Sequence, residues 1–287
     1  MPGFGFNSDI YRLMTNTLLR QFTDNLPVQE ARTPLLFIGH GSPMNGIEDN
    51  EFSRRWQQMA TEIPQPAAVL VVSAHWFTRG THITAMDFPP TIHDFGGFPR
   101  ELSEVQYPAP GDPQLAGEAA SLIHSTTVGL THDWGLDHGT WTVVRHMYPA
   151  ANIPVLQLSI DYTKGGSWHY QLSKELSALR KKGVLIIGSG NMVHNLGMMS
   201  WEMIRGGGYD WANSMNEQFK SLIMEGNHPA LTDYENLGRE AKLAIPTPEH
   251  YLPLLYVLGL QEKNEAPVFF NDKAVAGSLT MTSVRIG

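Results

Sequence analysis

The chain has 287 residues, enough for one large domain with a substantial core. Its formal charge is −8 and its basic residues cluster only at Arg180–Lys182, which argues against nucleic acid or an anionic membrane surface as a partner. Twelve histidines and no cysteine exclude disulfides, thiolate metal sites, iron–sulfur clusters and a cysteine nucleophile, so any metal must be held by nitrogen and oxygen.

The first stretch, MPGFGFNSDIYRLMTNTLLRQF, lacks the basic and then apolar order of a signal peptide. Ile10, Leu13, Met14, Leu18 and Leu19 recur at helical spacing, which predicts a short amphipathic helix packed on the body or on a neighbouring subunit, and so leaves a homo-oligomer open. No segment reaches the ~18–20 apolar residues needed to cross a bilayer. A cytoplasmic location is the expectation, and residues 1–33 are treated as an extension, with the main domain at 34–287.

Leu35 to Ile38 form an apolar run without alternation, as in a strand buried on both faces. It ends in Gly39-His40-Gly41, where two glycines allow a tight turn that presents an imidazole. A helix over 51–61 leads to a second such run, AAVLVVSAHWF, with a strand over 68–73 that reaches His75. A strand over 81–86 precedes a long proline- and glycine-rich loop, 87–111, of the kind that serves as a lid or binding loop; His93 lies in it. Helices over 112–124 and 139–147 follow, with Asp137-His138-Gly139 just before the second. Next come a strand over 154–160, a helix over 167–181, and a third buried run, VLIIGSGNMVHNL, with a strand over 184–188 before His194. A helix over 210–224 precedes PTPEHYLPLL, where Thr247 suits an N-cap, Pro248 the first helical position, and His250 the first turn of a helix over 248–258. The last segment, SLTMTSVRIG, with a strand over 277–286, alternates like a half-exposed edge strand.

Strands alternating with helices predict a single α/β domain with a mainly parallel central sheet flanked by helices. In such sheets ligands bind beyond the carboxyl ends of the strands. His40, His75 and His194 each follow a buried run at that end, so they converge on one rim as candidate metal ligands. His138 and His250, taken singly, read as capping or buried polar residues before they read as ligands. His82, His124, His132, His146, His169 and His228 read as surface or helix-face residues. The G-x-S-x-G nucleophile elbow, a complete dinucleotide fingerprint and H-E-x-x-H do not occur.

The motifs GHGSPMN, SAHWFTRG, PPTIHDFGGFP, YPAPG, DHGTW, SGNMVHNL and TPEHYLPLLYVLG, in this order from Pro34 onward, resemble the 4,5-DOPA extradiol dioxygenase-like family. That family belongs to the class III, LigB-like ring-cleaving dioxygenases, and the likeness is greatest to its bacterial zinc-containing members. The resemblance implies that His40, His75, His194 and His250 bind one divalent metal, and that His138 is an active-site histidine. It also implies dioxygen and a catechol such as DOPA as substrates, with zinc in the protein as isolated and iron(II) for turnover. The wider superfamily holds iron with two histidines and a glutamate, whereas His250 stands at the carboxylate position here and Glu249 is expected to point elsewhere. Since catechol and dioxygen together need three metal positions, His40, His75 and His250 are assigned as the turnover ligands. His194 is then a fourth ligand in a resting zinc site or an acid/base group, with His138, oriented by Asp137, as a second proton-handling residue. Trp76, Phe95, Phe98 and Trp141 are candidates for the aromatic wall. A zinc hydrolase and a non-catalytic metal-binding protein are the alternative readings.

Overall fold

Leu35 and Phe37 face one hydrophobic cluster while Leu36 and Ile38 face another, so the unbroken apolar run is buried on both sides of a sheet. The same split divides Leu70 and Val72 from Val69 and Val71, and Ile186 from Leu185 and Ile187. The computed structural model describes residues 32–287, and the expected N-terminal helix lies outside them.

The strands are β1 (Leu35–Gly39), β2 (Ala68–Thr78), β3 (Thr81–Thr84), β4 (Val128–Thr131), β5 (Val155–Asp161), β6 (Val184–Gly190), β7 (Pro267–Phe270), β8 (Ala274–Val275), β9 (Leu279–Thr280) and β10 (Ser283–Ile286). Eight of them form one sheet in the order β4-β3-β5-β2-β6-β1-β10-β7, and β8 pairs with β9 separately. Its centre, β5-β2-β6-β1, is parallel, while β3 pairs antiparallel with β5 and β10 antiparallel with both β1 and β7. The expected single α/β domain with a mainly parallel sheet is therefore present. The principal helices are α1 (Glu51–Glu62), α2 (Pro113–Leu122), α3 (His138–Met147), α4 (Gly166–Lys174), α5 (Asp210–Met224) and α6 (Leu252–Gly259). Trp56 of α1 and Trp141 of α3 fill one face; Leu172 of α4, Phe219 of α5 and the wholly buried α6 fill the other. Among the described residues no helix is long and apolar enough to cross a membrane.

The last segment departs from expectation. Ser283 to Ile286 lie between β1 and β7 rather than at an edge, and the edge strands are β4 and β7. Ser283 is buried because its hydroxyl accepts the Gly39 N–H at 3.0 Å and donates to the Met281 carbonyl at 2.9 Å. The predicted helix over 167–181 is broken into α4 and a short turn of helix at Ser177–Lys181.

Two glycines shape the rim. Gly41 has φ +61°, which a side chain rarely tolerates, and this turns the chain away after His40. Gly190 ends β6 against the His250 carbonyl, where an added Cβ would fall 2.0 Å from that oxygen. Asn191 N–H donates to the same oxygen at 2.8 Å, so β6 and the His250 turn are locked together. Gly190→Ala is therefore expected to lower stability by about 1–3 kcal/mol, the usual range for overpacking. Urea unfolding checks this; an unchanged midpoint would refute the close approach.

Candidate metal centre

Each rim histidine is delivered by a different element. His40 follows β1 directly, and its N–H donates to the Gly190 carbonyl at 3.1 Å. His75 lies inside β2, which continues past the expected end at 73. From Val72 to Phe77 β2 advances five residues while β5 advances two, from Leu158 to Ile160; this irregularity carries His75. His138 opens α3. His194 follows the β6 turn, its N–H donating to the Ala244 carbonyl at 2.8 Å. His250 sits in the turn before α6, where Leu252 N–H already donates to the Pro248 carbonyl at 2.9 Å, although the regular helix begins at Leu252 rather than 248.

The five imidazoles meet. Ring centroids of His40, His75 and His250 are 5.0, 5.4 and 5.0 Å apart pairwise, and one nitrogen from each falls within a 4.8 Å circle. His194 is outside that trio but stacks on His250, with centroids 3.5 Å apart and planes 9° from parallel. His138 packs on His75 at 3.8 Å.

The second nitrogen of each trio member has a partner. His40 Nδ1 lies 3.0 Å from Ser189 Oγ, whose own proton goes to the Gly139 carbonyl, so Nδ1 must be the donor. His250 Nδ1 lies 3.2 Å from Glu249 Oε1. His75 Nδ1 lies 3.3 Å from Asp94 Oδ2, where a lone pair would be repelled and a proton is favoured. Nε2 of His40 and of His75 then both carry lone pairs, yet they are 3.1 Å apart. Burial, and next the neighbouring histidines, hold the pKa of His40 well below the ordinary imidazole range, and burial lowers His75 to about 3, so no proton relieves this contact. A cation would. Two nitrogens 3.1 Å apart are the separation expected for ligands each about 2.0–2.1 Å from one ion, at an angle between octahedral and tetrahedral. The donor set fits a borderline divalent metal such as zinc or iron.

Several expected roles change. Asp137 does not orient His138: it caps α3 through Thr140 N–H and also takes hydrogen bonds from Ser73 Oγ and Gln157 Nε2. Asp94 takes that place, with Oδ2 2.9 Å from His138 Nδ1 and Oδ1 accepting the His138 N–H at 2.9 Å. Burial raises the Asp94 pKa, but the His138 hydrogen bond and the adjacent imidazoles outweigh it and hold the carboxyl below its ordinary value. Glu249 faces His250 instead of pointing away, because the turn precedes the helix. His169 is fully buried, with Nδ1 2.9 Å from the Tyr256 hydroxyl, and is not a surface residue. His93 is tied to the Val105 carbonyl at 2.9 Å within the loop. Phe95 packs edge-on to both His138 and Phe98, whereas Trp141 is core and Trp76 stacks on Trp134. Asp94, Ser189 and Glu249 were missed as site residues, although all three lie within the quoted motifs.

A largely buried, cysteine-free cluster of imidazoles at the strand-end rim could hold a metal ion through nitrogen. Comparison with known proteins agrees. Residues 33–283 match the family described as the catalytic LigB subunit of aromatic ring-opening dioxygenase. The chain is 48% identical over 265 residues to the 4,5-DOPA dioxygenase extradiol of Escherichia coli (strain K12), covering 91% of this chain and 97% of that protein. It is 34% identical over 255 residues to the 4,5-DOPA dioxygenase extradiol of Beta vulgaris, covering 87% and 94%. A crystal structure of an uncharacterized protein from Escherichia coli K12 superposes with a TM-score of 0.78 at 44% identity, covering 89% of this chain and 100% of that one. The chain belongs to this LigB family, the extradiol ring-cleavage dioxygenases, and the hydrolase and non-catalytic readings are set aside.

The metal-free site should be acid-sensitive. Burial, chiefly, lowers His75 to about 3 and His194 to about 4, below the ordinary 6.5 that the unfolded chain shows. Between those values the unfolded state binds more protons, so stability is full above about 6.5 and falls as pH drops toward 4. Urea midpoints in chelator at pH 7.5 and 5.0 should differ in that direction, and His75→Gln with His194→Gln should reduce the difference, His40 and His250 supplying the rest. A wild-type profile that is flat across this window would contradict the site's electrostatics.

Proposed function

We propose that His40, His75 and His250 hold one divalent metal through Nε2, and that the protein uses it to open the ring of a catechol such as DOPA with dioxygen. The observation that carries this reading is the pair of Nε2 atoms 3.1 Å apart, each ring having a partner at Nδ1. When bound as iron(II), the ion supplies open positions and redox capacity for catechol and dioxygen together. Zinc also suits the three nitrogens and is the metal we assign to protein isolated in air.

The remaining work belongs to the chain. His194, neutral because burial lowers its pKa to about 4, has its ring stacked beside the trio and is placed to take a catechol proton. His138 presents a second imidazole against His75, and holds or returns a proton to the substrate oxygen. Phe95 and Phe98 form an aromatic wall beside His138, which receives the ring and keeps water out. The Glu249 carboxylate, bonded by Thr247 Oγ1 at 2.7 Å, keeps the His250 ring in register.

Protein purified in air should carry zinc and consume little oxygen with a catechol panel that includes DOPA. Anaerobic loading with iron(II) should raise oxygen uptake and yield a ring-opened product. Equal activity of the zinc and iron forms would rule out redox dioxygen chemistry.

Ligand and base separate by mutation. His250→Ala should lose iron outright, while His194→Ala should keep iron and catechol binding yet turn over at least about a hundredfold more slowly, the lower end of general acid–base contributions. If His194→Ala loses iron as completely as His250→Ala, its assignment as a proton-transfer residue fails.

A further inference from the structure

The three trio histidines use three different acceptors, and only one comes from the long loop. Ser189 is part of β6, and Glu249 is the chain neighbour of the histidine it contacts. Asp94 instead stands in the loop after β3, between Ile92 and the Gly96-Gly97 tip, where an added Cβ would meet nothing within 4 Å at either glycine. Backbone bonds fix its approach. Ile92 N–H donates to the Leu136 carbonyl at 2.7 Å, Leu136 N–H to the Pro90 carbonyl at 2.8 Å, and Trp141 Nε1 to the Ile92 carbonyl at 2.9 Å. One carboxylate then meets three N–H groups. Oδ1 takes the first backbone N–H of α3, a donor with no partner inside the helix, and Oδ2 takes His138 Nδ1–H while lying 3.3 Å from His75 Nδ1.

We propose that Asp94 is a positioning residue for the metal centre: it fixes His75 and His138 together as Nδ1–H tautomers, so that docking of the 87–111 loop completes the metal site. This rests on the metal-centre reading above. Its chemistry is simple. An imidazole donates to a metal only through its unprotonated nitrogen, and the partner of the other nitrogen selects which one that is. Asp94 serves two rings with one oxygen, so a ligand and a proton-handling histidine are set by the same loop residue. By linkage, a loop that tightens metal binding must be held more firmly when metal is bound. The competing role is ligation: ligand atoms of His75, Asp94 and His138 all lie within 4.8 Å of one another and would suit a second ion. Such an ion would have to displace the His138 hydrogen bonds already in place.

The test uses full-length protein loaded with zinc, so it needs no turnover and is independent of whether catechols are cleaved. In ¹⁵N-histidine-labelled protein, nuclear magnetic resonance should show Nδ1 of His75 and His138 protonated. Asp94→Ala should weaken zinc about tenfold to a hundredfold in chelator competition, as loss of an outer-shell partner does, and should abolish the fixed Nδ1–H signal of His138. Asp94→Asn is nearly isosteric and decides the matter if the alanine variant does not fold. Its amide oxygen can still accept one N–H, but its NH₂ faces a donor, so it should fall between wild type and alanine in both readouts. Zinc affinity within twofold of wild type, or an unchanged His138 Nδ1–H signal, overturns the proposal. Two zinc ions in wild type and one in the variants overturn it as well, because Asp94 is then a ligand.

Discussion

Two imidazole nitrogens that both carry lone pairs repel each other at 3.1 Å, and His40, buried, and His75, partly buried, place Nε2 atoms at that separation. Exposed side chains would rotate apart or share a proton. Here neither escape is open, because each Nδ1 is engaged and burial keeps protons off the rings. A cation between the nitrogens would turn repulsion into ligation, and the proposed metal site rests on that requirement. The acceptors behind the rings are a serine whose hydroxyl is already spent and carboxylates that can only accept, which leaves one tautomer for each ligand.

The fold meets the requirement with elements that cannot easily shift. Parallel β1, β2 and β6 are buried on both faces, so their carboxyl ends are fixed relative to one another by two hydrophobic clusters. The fourth histidine-bearing segment is clamped where Gly190 meets the His250 carbonyl. By contrast, the aromatic wall and Asp94 come from a loop anchored by a few backbone bonds. That division suits a metal held by a rigid frame and a substrate admitted beside a smaller, separately anchored piece.

The central sheet was legible because continuous β-branched runs have one explanation in a chain of this size, burial on both faces. His40, His75 and His194 were legible for the same reason, each standing just past or within such a run. What was not legible depends on contacts made far along the chain. Alternation in SLTMTSVRIG suggests a wet face, but the polar Ser283 is satisfied by the Gly39 and Met281 backbones inside the sheet. His169 gives no sign of burial because its partner, Tyr256, lies 87 positions away. Asp94 reaches His138 across 44 positions, and nothing local distinguishes it from Asp137, which looks better placed and serves instead as a helix cap. Glu249 was misjudged for a different reason, since helical geometry was assumed at residues that form the turn before the helix.

Anomalous diffraction from crystals of the zinc-loaded protein, collected on both sides of the zinc edge, locates the ion. One peak per chain is expected, about 2.0–2.1 Å from Nε2 of His40, His75 and His250, with each Nδ1 still turned to Ser189, Asp94 and Glu249 respectively. A peak bound through any of those Nδ1 atoms, or seated on Asp94 and His138 instead, would contradict the proposed site.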